Sequence, residues 1–89
     1  MLRITKIAEN GLPVTLRLEG KVHGDWVSLL EQECRALISQ KKTVLLDLSN
    51  VTFMDDRGVE MIRRLPARSI TVINGDAFIE DLIDRGGKR

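Results

Sequence analysis

Residues Asp47 to Val59 read DLSNVTFMDDRGV, and the fold follows from what flanks them. Upstream runs Thr43-Val44-Leu45-Leu46-Asp47-Leu48, almost continuously apolar from Val44, as in a central strand buried on both faces. Downstream, Val59, Ile62 and Leu65 recur at i, i+3 and i+6, which predicts a helix over residues 56–65 that Pro66 closes. Between them stand a short turn, the adjacent acids Asp55 and Asp56, and Gly58. A strand delivering polar groups to a helix N-terminus is where α/β domains place their working surface.

Working outward, Leu2 to Ala8 reads as a first strand. Asn10-Gly11 signals a hairpin, since both residues tolerate positive φ. Val14, Leu16 and Leu18 then alternate onto one buried face of a second strand, with the first strand at the sheet edge. Gly20 to Gly24 reads as a turn and Asp25 as an N-cap. A helix of about 15 residues follows. Trp26, Val27, Leu30, Cys34, Leu37 and Ile38 form its apolar side, and Glu31, Glu33, Arg35 and Gln40 the others. Gln40-Lys41-Lys42 ends it with charges suited to a helix C-terminus.

Ser69 to Ile73 is a further β-branched strand. Asn74-Gly75-Asp76 turns and caps a last helix with Phe78, Ile79, Leu82 and Ile83 on its apolar side. Gly86-Gly87 stops that helix, and Lys88-Arg89 frays. The order β-β-α-β-α-β-α predicts one α/β domain over residues 1–89. Its small mixed four-stranded sheet opens with an antiparallel hairpin and continues through right-handed parallel crossovers, with about three helices.

The 89 residues are 43% hydrophobic and 30% charged, enough for one core. Trp26, Phe53 and Phe78 are the aromatics, too few for a base-stacking platform. Net charge is +1 with interleaved signs, which lacks the basic face of a nucleic-acid domain. Arg57, Arg63, Arg64 and Arg68, interrupted by Glu60, read as a solvated helix face. Cys34 is the sole cysteine, so no intrachain disulfide forms, and it reads as a small buried hydrophobe. No apolar run approaches the ~20 residues of a membrane span, and no signal peptide is visible. The expectation is a cytoplasmic protein without membrane insertion.

Enzyme motifs are scarce. No glycine-rich phosphate loop is present, and His23 is the single histidine, read as an exposed imidazole after the second strand. One His and one Cys do not make a zinc site. Asp47, Asp55 and Asp56 raise the question of Mg²⁺, as in phosphoacceptor receiver domains. Those domains place an acid pair after the first strand and a lysine after a late one, and this chain has neither. Asp55 or Asp56 instead serves as the cap of the second helix, worth about 0.5–2 kcal/mol. Gly58 permits close backbone approach or simply falls in the first turn. No catalytic residue, cofactor or metal is expected.

Strand, D-L-S (Asp47, Ser49), V-x-F-x-D ending at Asp55, then Gly58 and an aliphatic resembles the signature of STAS domains, the anti-sigma-factor antagonist family. Leu16 to Val22 is similar to the family's second-strand L-x-L-x-G-x-hydrophobic element, and the resemblance covers nearly the whole chain. It implies a single-sheet domain that binds proteins with no catalytic step of its own. In the switching members, the antagonist binds an anti-sigma factor with kinase activity. That kinase phosphorylates a serine directly after the motif Asp, which here is Asp55. The phosphoacceptor-equivalent position is therefore Asp56, followed by Arg57 where the family has a small polar residue. His23 stands where members often carry Asp or Thr. Asp56 has no hydroxyl and carries a charge near −1, against about −1.5 to −2 for phosphoserine. It reads either as a fixed phosphomimic or as a helix cap.

The expected function is a protein-binding module regulating a signalling or transcription partner without serine phosphorylation at the usual site. The implied partner is an anti-sigma factor, a histidine-kinase-like ATPase or another regulatory protein. The expected surface is the loop from Ser49 to Arg57 plus the exposed side of the second helix: Asn50, Thr52, Asp56, Arg57, Glu60, Met61 and Arg64. Met61, off the helix stripe, suits an adaptable contact or the core. Alternatives are an accessory subunit of a transporter or signalling scaffold, and a small-ligand or nucleotide sensor using the helix N-terminus, against which two acids argue. Partner identity and oligomeric state are not written in the sequence. Asp56→Ser is expected to accept phosphate from a co-encoded kinase, read by intact mass; no transfer would count against descent from a kinase switch.

Overall fold

A computed structural model of the chain describes residues 1–77, 79, 81 and 83. In chain order the elements are β1 (Leu2–Ile7), β2 (Val14–Val22), α1 (Asp25–Ser39), β3 (Val44–Met54), α2 (Asp56–Arg64) and β4 (Ile70–Ile73). The sheet order is β1-β2-β3-β4. β1 runs antiparallel to β2, and β2–β3 and β3–β4 are parallel, as the element pattern predicts. The opening turn is longer than a two-residue hairpin. Leu12 N–H donates to the Glu9 carbonyl at 3.1 Å, and of the Asn10-Gly11 pair Gly11 alone has positive φ, at 78°. Pro13 has no N–H to give the ladder, and pairing with β1 starts two residues later, in register Ile7 with Thr15.

Alternation and register put Leu16, Leu18, Val44, Leu46, Leu48 and Ile70 on one face of the sheet, all buried. Val27, Leu30, Cys34 and Leu37 of α1, with Met61 and Ile62 of α2 and Leu65, complete the same core. The opposite face carries exposed Thr5, Arg17 and Thr71, with Leu45 half-buried. β3 is thus not buried on both faces as its apolar run suggests. The reason is chirality. Both crossovers, β2–α1–β3 and β3–α2–β4, step in the same direction across the sheet, and right-handed connections of that kind lay both helices on one side.

Asp47 interrupts the apolar run and is only 9% exposed. Its Oδ1 accepts the Ser49 N–H at 3.0 Å and the Asn74 Nδ2 at 3.2 Å, and Arg17 Nε lies 3.8 Å from Oδ2. The carboxylate therefore ties β2, β3 and the turn after β4 together. The Ser49 backbone hydrogen bond holds its pKa below the ordinary range against the opposing effect of burial, with Asn74 and Arg17 adding to the same side.

β2 and β3 both outrun their expected ends. Gly20 lies inside β2 rather than in a turn, because β3 continues past Leu48 to Met54 and offers it a partner. Register steps between Arg17 and Glu19 and between Gly20 and Lys21 each leave an extra residue on β3, the signature of β-bulges. Residues 49–54 are therefore strand, where the sequence suggests a turn.

α1 spans 15 residues, as expected, but Gly24 and not Asp25 is its N-cap, with φ 57° and no side-chain cap. Asp25 sits in the first turn, where its charge complements the dipole. After β4, Asp76 Oδ1 accepts the Ile79 N–H at 2.8 Å, and Ile79 and Ile83 pack on the core. Residues 77, 79, 81 and 83 are helical. The expectations for Phe78, Leu82, Gly86-Gly87 and Lys88-Arg89 lie outside the described residues.

The end of α1 makes a prediction. No basic residue lies in its last turn; the lysines come after it. Lys41 N–H donates to Ile38 O at 2.9 Å and Lys42 N–H to Leu37 O at 3.1 Å, the paired bonds of a Schellman motif. Lys41 occupies its left-handed position at φ 65°, a conformation costly for a side chain with a Cβ. Lys41→Gly is expected to raise stability by about 0.5–1 kcal/mol, part of the relief being offset by the freedom glycine gains in the unfolded chain. A lower urea midpoint for the variant would refute this account of the helix end.

Candidate functional site

Asp55 joins three elements. Its N–H donates to the Val22 carbonyl at 3.0 Å, closing β3 against the end of β2. Oδ1 accepts the Gly58 N–H at 2.8 Å, and Oδ2 accepts the Gly24 N–H at 3.1 Å, at the start of α1. Gly24 reaches that oxygen from a backbone with φ 57°, a conformation that favours glycine. Asp55, with extended φ −81° and ψ 175°, is the cap of α2. Asp56 is the first helical residue and exposed, so its reading as the cap is corrected; it adds only charge to the first turn. Burial pushes the Asp55 pKa up. The Gly58 and Gly24 hydrogen bonds and the Arg57 and His23 charges outweigh it, leaving the carboxyl below its ordinary value.

Gly58 is a close-approach residue. A Cβ there would lie 2.9 Å from Met54 Cγ, 3.1 Å from Val22 Cγ1 and 3.3 Å from the Val22 carbonyl oxygen. The missing side chain lets α2 settle onto the ends of β2 and β3. It also accounts for Met61, named for the partner surface with the core as its alternative and found 0% exposed, which corrects the surface reading and bears out the core one. Gly58, Met61, Ile62 and Leu65 recur at i, i+3, i+4 and i+7, and this stripe faces the core, with Val59 buried beside it. A glycine contributes nothing to a hydrophobic pattern, so the stripe reads one position off in sequence.

Between the two helices lies an open groove of about 410 Å³, lined by Val27, Ser28 and Glu31 of α1 and by Asp56, Arg57, Glu60 and Arg64 of α2. Arg64 Nη2 donates to Glu31 Oε1 at 3.4 Å across it. Glu31 Oε2 also accepts from Arg35 Nε at 2.8 Å, and Glu60 pairs with Arg63 at 2.9 Å. The Arg35 hydrogen bond holds the Glu31 pKa down against burial, helped by the Arg35 and Arg64 charges. Such exposed pairs contribute about 0–1 kcal/mol each; they fix charge positions more than they stabilise the fold.

The groove gathers four residues singled out in sequence, Asp56, Arg57, Glu60 and Arg64. Its other wall, Val27, Ser28 and Glu31, was not foreseen, because the face α1 turns to α2 is set by the crossover and not by local pattern. Ser49, Asn50 and Thr52 sit on β3 as exposed residues and do not line it; Thr52 Oγ1 donates to the Gly20 carbonyl at 3.2 Å. Asp47 is occupied with Arg17, Ser49 and Asn74, apart from Asp55 and Asp56. Among the described residues no group of three His, Cys, Asp or Glu side chains is placed to hold a metal ion. His23 is half-buried rather than exposed, its ring edge-on to Phe53 at 6.4 Å between centroids. Burial pushes the Cys34 thiol up to about 12, far from a reactive thiolate. No described helix is long and apolar enough to cross a membrane.

No protein-family model matches the chain, and no curated protein matches it in sequence. Solved structures do. The anti-sigma factor antagonist SpoIIAA in its unphosphorylated form aligns with a TM-score of 0.74 at 19% identity, over 92% of this chain and 82% of that one. A Shewanella loihica protein with a SpoIIAA-like fold aligns with a TM-score of 0.59 at 8% identity, over 86% of this chain and 69% of its own. The structure of Mglu aligns with a TM-score of 0.61 at 26% identity, over 79% of this chain but 19% of Mglu. The chain has a SpoIIAA-like STAS fold, as the DLS…D…G pattern implies.

The two neighbouring acids separate in a stability test. With its folded pKa lowered, Asp55 contributes stability that is fully present above the ordinary value of 3.8 and lost as pH falls through the folded value. Asp55→Asn, which keeps one acceptor and loses the charge, is expected to cost about 1–2 kcal/mol near neutral pH. It should also flatten the loss of stability in acid. Asp56→Asn should stay within about 0.5 kcal/mol of wild type. Denaturant melts of both variants from neutral to acid pH decide it; equal losses would refute the assignment of the cap.

Proposed function

We propose that this chain is a non-catalytic protein-binding module of the anti-sigma-antagonist kind. It docks a regulatory protein on the α1–α2 groove and the start of α2, and no serine phosphorylation occurs at position 56. The observation that carries the reading is the exposed Asp56–Arg57 pair on the groove wall. The STAS resemblance puts the phosphoacceptor at that position. Because Asp55 does the capping, Asp56 is not needed for it, which supports reading its carboxylate as a permanent charge presented to a partner. Charges so placed set partner choice and association rate more than raw affinity.

A nucleotide or phosphate ligand fits poorly. Glu31, Asp56 and Glu60 line the groove against Arg57 and Arg64, so carboxylates outnumber guanidiniums and disfavour an anion that a helix N-terminus would otherwise attract. The partner class that suits the reading is an anti-sigma factor or histidine-kinase-like ATPase, or another regulatory protein, acting in signalling or transcription.

Affinity capture from the native host, followed by mass spectrometry, tests this. The immobilised chain is expected to retain a protein of that class. Arg57→Glu should weaken retention roughly tenfold, about 1.4 kcal/mol, while Lys42→Glu, at the far end of α1, should not. A transporter component on the beads would favour the accessory-subunit alternative, and the absence of any specific protein would sink the reading.

A further inference from the structure

The two edges of the sheet are chemically unlike. β1 carries exposed Arg3 and Lys6, charges of the kind that keep an edge strand from pairing with another chain. β4 is Ile-Thr-Val-Ile, all neutral and β-branched, with neither Pro nor Gly to blunt it. Among the described residues no strand lies on its outer side. Its ladder groups can be assigned. Val44 N–H donates to the Ser69 carbonyl and Val44 registers with Ile70. In a parallel ladder, residues 69, 71 and 73 therefore bond inward to β3, while Ile70 and Val72 direct backbone groups outward. The Ile70 N–H already donates to the Pro66 carbonyl at 3.2 Å. Among the described residues the outward Val72 N–H and Ile70 carbonyl remain for a further strand, one donor and one acceptor per copy, whereas the Val72 carbonyl would face the Ile70 N–H that Pro66 already holds.

We propose that β4 is a self-association edge, on which a second copy of this chain pairs β4 to β4 antiparallel about Thr71, making one continuous sheet from two. The occupant is a second copy because the edge is complementary to itself. In the register centred on Thr71, Ile70 lies opposite Val72 of the second copy on the core side. Thr71 then meets its own counterpart on the open face, and both rows keep their character across the junction. Arg68 falls opposite Asn74 of the second copy, so no like charges oppose one another. A register centred on Val72 would set apolar Ile70 against polar Asn74, which lies past the end of β4 with φ 60°. A two-fold axis through the pair makes the interface isologous and closed, which stops growth at two copies. A four-residue edge is far shorter than a standard interface needs, so the dimer is weak and forms with rising concentration.

Thr71 gives the test. It is exposed on the open face, and in this register it forms a non-hydrogen-bonded pair, the closer type, whose spacing of about 4.5 Å between Cα atoms suits a disulfide. In sedimentation equilibrium over a concentration series, the wild-type mass is expected to rise from one chain toward two. Thr71→Lys, which sets like charges face to face, should stay at one chain with an unchanged melting profile. Thr71→Cys should give a covalent dimer under mild oxidation, while wild type, whose one thiol Cys34 is buried, should not. A wild type of single-chain mass throughout, with no crosslinking of Thr71→Cys, would overturn the proposal. So would a wild-type dimer that Thr71→Lys leaves intact. Neither result bears on partner binding at the α1–α2 groove.

Discussion

One carboxylate sets the arrangement on which the rest of the domain depends. Asp55 accepts one N–H from the start of each of two helices, Gly24 before α1 and Gly58 in the first turn of α2, while its own N–H closes the sheet end at Val22. A helix start leaves several donors without partners, and here one side chain serves two such starts. The relative placement of α1 and α2 is therefore not left to side-chain packing alone. Gly58 belongs to the same constraint, since the distance it allows between α2 and Val22 is the distance at which Asp55 can reach both amides. The groove is the space that remains once these contacts are made.

A second constraint comes from topology. With α1 and α2 on one side, a single core is built from one sheet face, the stripes of these two helices and Ile79 and Ile83 beyond β4, and the other face must tolerate water. Threonines, Arg17 and the Asp47 cluster do that work. The acid in the middle of an apolar strand is thus consistent with the fold: it belongs to the half-covered face, where it can be hydrogen-bonded by Ser49 and Asn74. A buried carboxylate without such partners would be costly.

Much of this was legible in the sequence. Element order, the antiparallel opening and the parallel remainder follow from the alternation of Val14, Leu16 and Leu18, the helical spacing from Val27 to Leu37, and the apolar run of β3. What stayed hidden had physical causes. Ser49-Asn50 reads as a turn because bulges leave no periodic trace, yet the strand runs on to Met54. Two adjacent acids before a helix look equivalent until geometry selects Asp55, and Gly24 is not legible as the cap of α1 because the carboxylate holding its N–H lies 31 residues away in sequence. Met61 stayed open between surface and core because Gly58 adds nothing to the apolar pattern. Of the groove, the α2 wall was visible from the motif, whereas Val27, Ser28 and Glu31 come opposite it only through the crossover.

The strand order of the sheet is also the order of the chain. Each strand after the first therefore docks on one already made, and no strand waits for a later one to be inserted beside it. Sheet assembly can keep pace with synthesis from the N-terminus, with the opening hairpin as a local template and each helix crossover adding one neighbour. Every loop that must close is a single connection long, which keeps the entropy of closure small. A sheet ordered this way can be extended at a single edge, from β2 to β4, without any strand being inserted between two others.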